Sequence, residues 1–203
     1  MLRVRKNLAL AVKERQKEIL IGCILGDAHI TPLGKIRIEH SQKQYEYVVW
    51  KHSELSSLAY PALPRMISRQ TKGKEYKSVF FTLRQYFRAW RAIFYEGNMK
   101  VFPERLSLTP LSLAVWYMDD GCWTGKKSVI SIESFRGVNS RNMQSALYAQ
   151  FGIETVVGKN RKLVIRKRSH DIFYDLISPH ILPSMEYKLP NPVTTSPTSV
   201  GGS

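Results

Sequence analysis

The sequence predicts a mixed α+β protein built as two similar halves. Three observations carry this: a helix–strand–helix pattern that runs once and then begins again, an acidic residue ending an otherwise apolar helix in each run, and strands whose apolar residues alternate with polar ones. The 203 residues are enough for one large domain or two small ones. The repeat divides them into 1–103 and 104–190, with 191–203 as a loose Pro/Ser/Thr/Gly tail.

In the first half, Ile19, Leu20, Cys23 and Ile24 form the apolar stripe of a helix from about Val12 to Asp27. Lys35 to Glu39 alternates as a half-buried strand. A helix follows from Tyr45 to about Leu58, broken by Pro61 and Pro64. Ser78 to Leu83 reads as a strand, and Tyr86 to Tyr95 as an aromatic-rich helix. In the second half, Thr109 caps a helix whose first position is Pro110 and which runs to Asp120. Ser128 to Glu133 alternates like the first strand, and Asn139 to Phe151 is a helix. Thr155 to Val157 and Leu163 to Arg166 are strands around a basic turn, and Asp171 to Ile177 closes the half. Trp90, Phe94, Trp116 and Tyr117 are expected in the core.

Lys and Arg number 31 against 16 Asp and Glu, a net charge of +15 that calls for a polyanionic partner. No apolar run reaches the roughly 18 residues that span a bilayer, and no signal-like apolar stretch opens the chain. A membrane is therefore not expected as partner, and nucleic acid leads. Cys23 and Cys122 have no histidine at zinc spacing, so a zinc site is not expected and the thiols read as indifferent. The chain is expected inside a cell, with organelle and prokaryotic cytoplasm undistinguished.

Asp27 and Asp120 each stand at the C-terminal end of an apolar helix. The dipole there is negative and the last carbonyls lack partners, so a carboxylate is unfavourable unless a cation joins it. Carboxylate plus free carbonyls makes an oxygen-rich site suited to Mg²⁺ or Ca²⁺. An exposed acid at a fraying helix end explains either one alone; two in repeated positions argue against it. Gly22 and Gly26 lie on one helical face, where another helix could approach closely. If that is the helix 110–120, the two acids come together.

The segments Leu20-Ile21-Gly22-Cys23-Ile24-Leu25-Gly26-Asp27-Ala28 and Leu113-Ala114-Val115-Trp116-Tyr117-Met118-Asp119-Asp120-Gly121 resemble two copies of the motif that names the LAGLIDADG homing endonucleases. The similarity covers about residues 12–190 and is nearest to the single-chain branch. It implies two αββαββα halves, motif helices packed at the centre, and a saddle of antiparallel strands over DNA. It implies a monomer that cuts double-stranded DNA at a long site across the minor groove, using Mg²⁺, with Mn²⁺ substituting and Ca²⁺ binding without cleavage. On that resemblance Asp27 and Asp120 hold metal, Gly26 and Asp119 offer backbone carbonyls, and Lys100 and Lys188 are the active-site lysines. The second motif departs from the first, with Val115 and Asp119 in place of Gly22 and Gly26. That predicts asymmetric packing and leaves the Asp119 carboxylate without a role.

The strands would carry recognition. Ile36 and Ile38 would face the helices and leave Arg37 and Glu39 for DNA; Ser131 and Glu133, and Arg166 and Arg168, follow the same alternation. Arg reads guanine and Glu reads cytosine in a major groove. Arg69, Lys72, Lys74, Lys77, Lys126, Lys127, Arg161 and Lys162 would mainly meet phosphate. Two alternatives accompany cleavage: an RNA maturase that binds intron RNA and assists splicing, and a catalytically inactive DNA-binding regulator. Loss of the acids would mark either alternative, and both acids are present.

Overall fold

The structure is a computed structural model that describes residues 11–71, 73–137 and 140–190. The first half runs α1 (Glu14–Leu25), β1 (His29–Ile30), β2 (Ile36–Ser41), α2 (Tyr45–Glu54), β3 (Arg65–Thr71), β4 (Lys74–Thr82) and α3 (Arg88–Phe94). A small hairpin, β5 (Tyr95–Glu96) and β6 (Met99–Lys100), leads out of it. The second half repeats the order: α4 (Pro110–Asp120), β7 (Gly121–Trp123), β8 (Ser128–Ser131), α5 (Ser140–Phe151), β9 (Thr155–Gly158), β10 (Lys162–Ile165) and α6 (His170–Ile177). Each half is αββαββα, and each sheet is antiparallel in one order, β1-β2-β4-β3 and β7-β8-β10-β9.

Helix α4 starts as its sequence dictates. Thr109 Oγ1 accepts from the Ser112 amide at 3.2 Å, Ser112 Oγ accepts from the Thr109 amide at 2.8 Å, and Pro110 takes the first helical position. From Leu111 to Asp119 every residue of α4 is buried, as is α1 from Ile19 to Leu25. These two helices form the central seam. A Cβ on Gly22 would lie 2.6 Å from both the Ser112 carbonyl oxygen and the Val115 Cβ, and one on Gly26 would lie 2.4 Å from the Asp119 Cβ. The close approach expected from the two glycines is present and is one-sided: recesses on α1 receive side chains of α4.

The sheets pack one face on this core. Ile36, Ile38, Val79 and Phe81 of the first, and Ile130, Leu163 and Ile165 of the second, are buried. Trp116 and Tyr117 are fully buried and Phe94 nearly so, whereas Trp90 is half-buried against the core. Among the described residues Trp116 Nε1 has no hydrogen-bond partner. Among the described residues no helix is long and apolar enough to cross a membrane.

Several expected boundaries shift. Helix α1 ends at Leu25, so Gly26 caps it and Asp27 lies just beyond. Helix α2 stops at Glu54, followed by a short 3₁₀ turn at Ser56–Leu58. The basic stretch 65–71 is a full strand, β3, and β4 begins at Lys74 rather than Ser78. Exposed on nearly every residue, β3 has no alternation to betray it. The proposed tail, 191–203, lies outside the described residues.

Candidate active site

The two motif ends meet at the top of the α1–α4 seam. Lys100, carried by β6, donates its ammonium to the Gly26 carbonyl. Its backbone is docked on the other half, where its carbonyl accepts from the Arg136 amide at 3.0 Å. Lys188 donates to the Met118 carbonyl and to that of Asp119, the latter at 2.9 Å. Its own carbonyl accepts from the buried Tyr117 hydroxyl at 2.8 Å. The expected lysines and the expected carbonyls are thus paired, one set per motif. Both lysines are buried, which pulls each ammonium below its ordinary pKa, against the raising charges of Asp27, Asp119 and Asp120.

The two carboxylates differ. Burial pushes the Asp120 carboxyl up to about 7, helped by the negative charges of Asp27 and Asp119 and opposed by Lys100 and Lys188. Asp27 has a side chain 45% exposed. Partial burial raises its carboxyl, but the His40 hydrogen bond and the charges of Lys51 and Lys100 outweigh that and hold it below the ordinary value.

Asp119 proves to be a structural hub. Its side chain is fully buried. Oδ1 accepts from Lys51 Nζ at 2.6 Å and from the Tyr47 hydroxyl at 2.7 Å, and Oδ2 accepts from the Asp27 amide at 3.1 Å. His40 Nδ1 stands 3.3 Å from Asp27 Oδ2, and its Nε2 is 2.9 Å from Lys51 Nζ. Burial pulls the Lys51 ammonium down, yet Asp119 more than offsets this and leaves it raised. Asp27, His40 and Asp119 place ligand-type atoms within 4.8 Å of one another. The Lys51 ammonium already compensates Asp119, so that carboxylate is not a vacant metal ligand. Sequence reading missed His40, Tyr47 and Lys51; the one available signal was a histidine and a lysine at positions that the strand and helix patterns make inward-facing. Burial drives the neighbouring Cys23 thiol up to about 12, while Cys122 is exposed.

On the open face of the first sheet, register brings Arg37 beside Thr82, Glu39 beside Phe80, and Arg69 beside Tyr76. Glu39 accepts from Arg37 Nε at 2.7 Å, Arg69 at 2.6 Å and Ser78 at 2.6 Å. Burial alone would raise its carboxyl; those hydrogen bonds hold it at about 2. Both Glu39 oxygens are engaged, and they hold the guanidinium groups of Arg37 and Arg69 on this face. The Arg37 guanidinium also lies 3.7 Å from the centre of the Phe80 ring. Lys74 shares this open face. Lys77 lies on the opposite one, in register with Ser68 and 3.6 Å from Glu75. Lys72 is outside the described residues.

In the second sheet Ser131 and Lys162 are register partners on the open face. Glu133 lies past the end of β8, with its carboxylate 3.3 Å from Lys162. Arg161 turns its guanidinium onto the carbonyls of Glu133 and Phe135, bracing that turn. Strand β10 ends at Ile165, so the expected alternation fails beyond it. Arg166 follows the strand, and Arg168 sits in a 3₁₀ turn, bonded to Glu154. Lys126 and Lys127 line a basic groove of about 450 Å³ with Arg166, Lys167 and Arg168.

Residues 17–173 match the model of the LAGLIDADG DNA endonuclease family. The chain belongs to this family. Among solved structures, the homing endonuclease I-WcaI bound to its DNA recognition sequence is similar at a TM-score of 0.78, with 24% identity over 88% of this chain and 87% of that one; at that identity the likeness shows the LAGLIDADG fold. The cytochrome b mRNA maturase bI2 of Saccharomyces cerevisiae is 29% identical over 85% of this chain and 47% of its own length. The RecA protein of Mycolicibacterium flavescens is 27% identical over 88% of this chain and 47% of its own. The chain thus spans about half the length of these curated relatives.

Proposed function

We propose that this LAGLIDADG protein is a site-specific endonuclease that cuts both strands of double-stranded DNA with a divalent metal, Mg²⁺ or Mn²⁺, acts as a monomer, and serves the mobility of an intron or intein. The observation that carries the reading is the paired set at the helix ends: an acid and a backbone carbonyl from each motif, with a buried lysine from the same half. A divalent cation fits these residues. The Gly26 and Asp119 carbonyls already receive ammonium groups, and the Asp120 carboxyl is raised by burial and by the negative charges of Asp27 and Asp119, which Lys100 and Lys188 only partly oppose. Asp27 and Asp120 would hold the cation with those carbonyls, and it would supply Lewis-acid activation of water and of the leaving oxygen.

The chain's own groups supply the rest. Lys100 and Lys188 stand where they can offset charge developing on a phosphate or polarise the attacking water. Arg37, Arg69, Lys74, Ser131 and Lys162 form the open sheet faces that would meet the duplex. The sheets set position and sequence choice; the seam sets chemistry.

The test is to recover cleaved sites from a randomised duplex library with Mg²⁺, Mn²⁺, Ca²⁺ or EDTA. The expected result is one preferred site, cut with Mg²⁺ or Mn²⁺ and bound but uncut with Ca²⁺. Full cutting in EDTA overturns the metal reading. Binding should weaken with salt, with a log–log slope of about −5 to −7 if about six to eight phosphates are contacted. The likeness to a maturase favours a second reading, RNA binding that assists splicing. Accelerated splicing of an intron RNA by an Asp27→Asn, Asp120→Asn double variant would support it.

A further inference from the structure

His40 sits at the end of β2 with its ring 1% exposed, between Asp27 and Lys51. The ammonium of Lys51 has hydrogens to give and no lone pair to offer. It lies 2.9 Å from His40 Nε2 while also donating to Asp119 at 2.6 Å. Nε2 must therefore be the acceptor, and the ring proton stands on Nδ1, which faces Asp27 Oδ2 at 3.3 Å. We propose that Lys51 locks His40 in the Nδ1–H form, making His40 a positioning residue that holds one oxygen of Asp27 and leaves the other for a divalent cation. The role rests on the reading of Asp27 as a metal ligand.

The other half shows that the arrangement is specific. Arg37 pairs with His29 and Val129 with Cys122, so counting three residues on from each sets Ile132 in the place of His40. Helix α5 buries Met143 and Leu147 with the spacing at which α2 buries Tyr47 and Lys51. Ile132 and the buried α5 residues Met143, Ala146 and Leu147 are all apolar and offer a carboxylate no hydrogen bond. Groups that orient a metal's ligands change its affinity by about 10–100-fold when removed. That effect is expected on the Asp27 side alone.

Two measurements on the full chain test this. Long-range proton–nitrogen correlation spectra of histidine-labelled protein, without metal or DNA, should show one ring in the Nδ1–H form that disappears in His40→Asn. A His40 ring protonated on Nε2 overturns the lock. Mn²⁺ binding is then followed by electron paramagnetic resonance. In His40→Asn the amide nitrogen can replace Nδ1, and affinity should stay within about threefold; His40→Gln and His40→Ala should weaken it about 10-fold or more. Equal losses in the Asn and Gln variants, with wild-type binding intact, overturn the positioning role alone. No Mn²⁺ binding by wild type overturns the metal reading of Asp27 and the role with it.

Discussion

The backbone amide of Asp27 donates to Oδ2 of Asp119 at 3.1 Å, so the turn that follows one motif helix is held by a side chain from the other. The same Asp119 neutralises Lys51, and both side chains are shut off from water. Removing one member leaves a buried charge alone, which costs about 3–5 kcal/mol, whereas removing both is often nearly neutral. Lys51→Met and Asp119→Asn should each lose about that much stability in urea unfolding. The double variant should lose clearly less than the sum; simple additivity would show that the pair is not coupled.

The acids at the seam allow a sharper test. Each motif's acid lies within electrostatic reach of the other, since Asp27 raises the Asp120 carboxyl. A cation shared between them predicts that Asp27→Asn and Asp120→Asn each stop both cuts while DNA affinity stays near wild type, because loss of a negative charge beside phosphate does not weaken attraction. Strand-specific end-labelling decides it. Efficient nicking of one strand by either variant would mean separate sites.

Lys100→Ala and Lys188→Ala should slow single-turnover cleavage by about 10²-fold, with affinity changed less than about threefold, because a group acting on developing charge contributes in the transition state. Equal losses of rate and affinity would reduce them to phosphate clamps.

Both acids and both lysines were legible in the sequence because the repeat shows them twice, and the glycine face because Gly22 and Gly26 stand four apart in one apolar helix. Strand β3 was not. A strand exposed on both faces carries no hydrophobic period, and Met66 and Ile67 are too few to supply one. The His40–Lys51–Asp119 hub was hidden for another reason. It joins β2, α2 and α4 through polar side chains at inward positions, and which ones meet depends on packing that local patterns do not encode. The place of Arg168 was hidden as well: β10 stops at Ile165, and Arg168 falls in the 3₁₀ turn Lys167–Ser169, a change that strand alternation does not mark.

Glu39 predicts a pH signature. Its carboxyl lies at about 2, below an ordinary value of 4.5, so the folded state binds that proton less readily than the unfolded chain. The stability it contributes is complete above about 4.5 and fades as pH falls toward 2. Glu39→Gln should therefore be less stable than wild type by about 1–2 kcal/mol at pH 7, and the gap should close as pH falls from 4.5 to 2. Thermal unfolding across that range checks it; a constant gap would show that the ionised carboxylate is not what stabilises the cluster.

Gly22 and Gly26 on one helix, and Val115 and Asp119 on the other, give the seam a polarity. Were the first half joined to a copy of itself, glycine would face glycine across empty space. Two second halves would press valine on valine and carboxylate on carboxylate, with no recess to take either. The halves of this chain are therefore not interchangeable parts. A symmetric enzyme assembled from two copies of the second half, or a chimera that takes its first half from elsewhere, would have to carry small residues at the seam positions facing Val115 and Asp119 before its acids could be brought to one place.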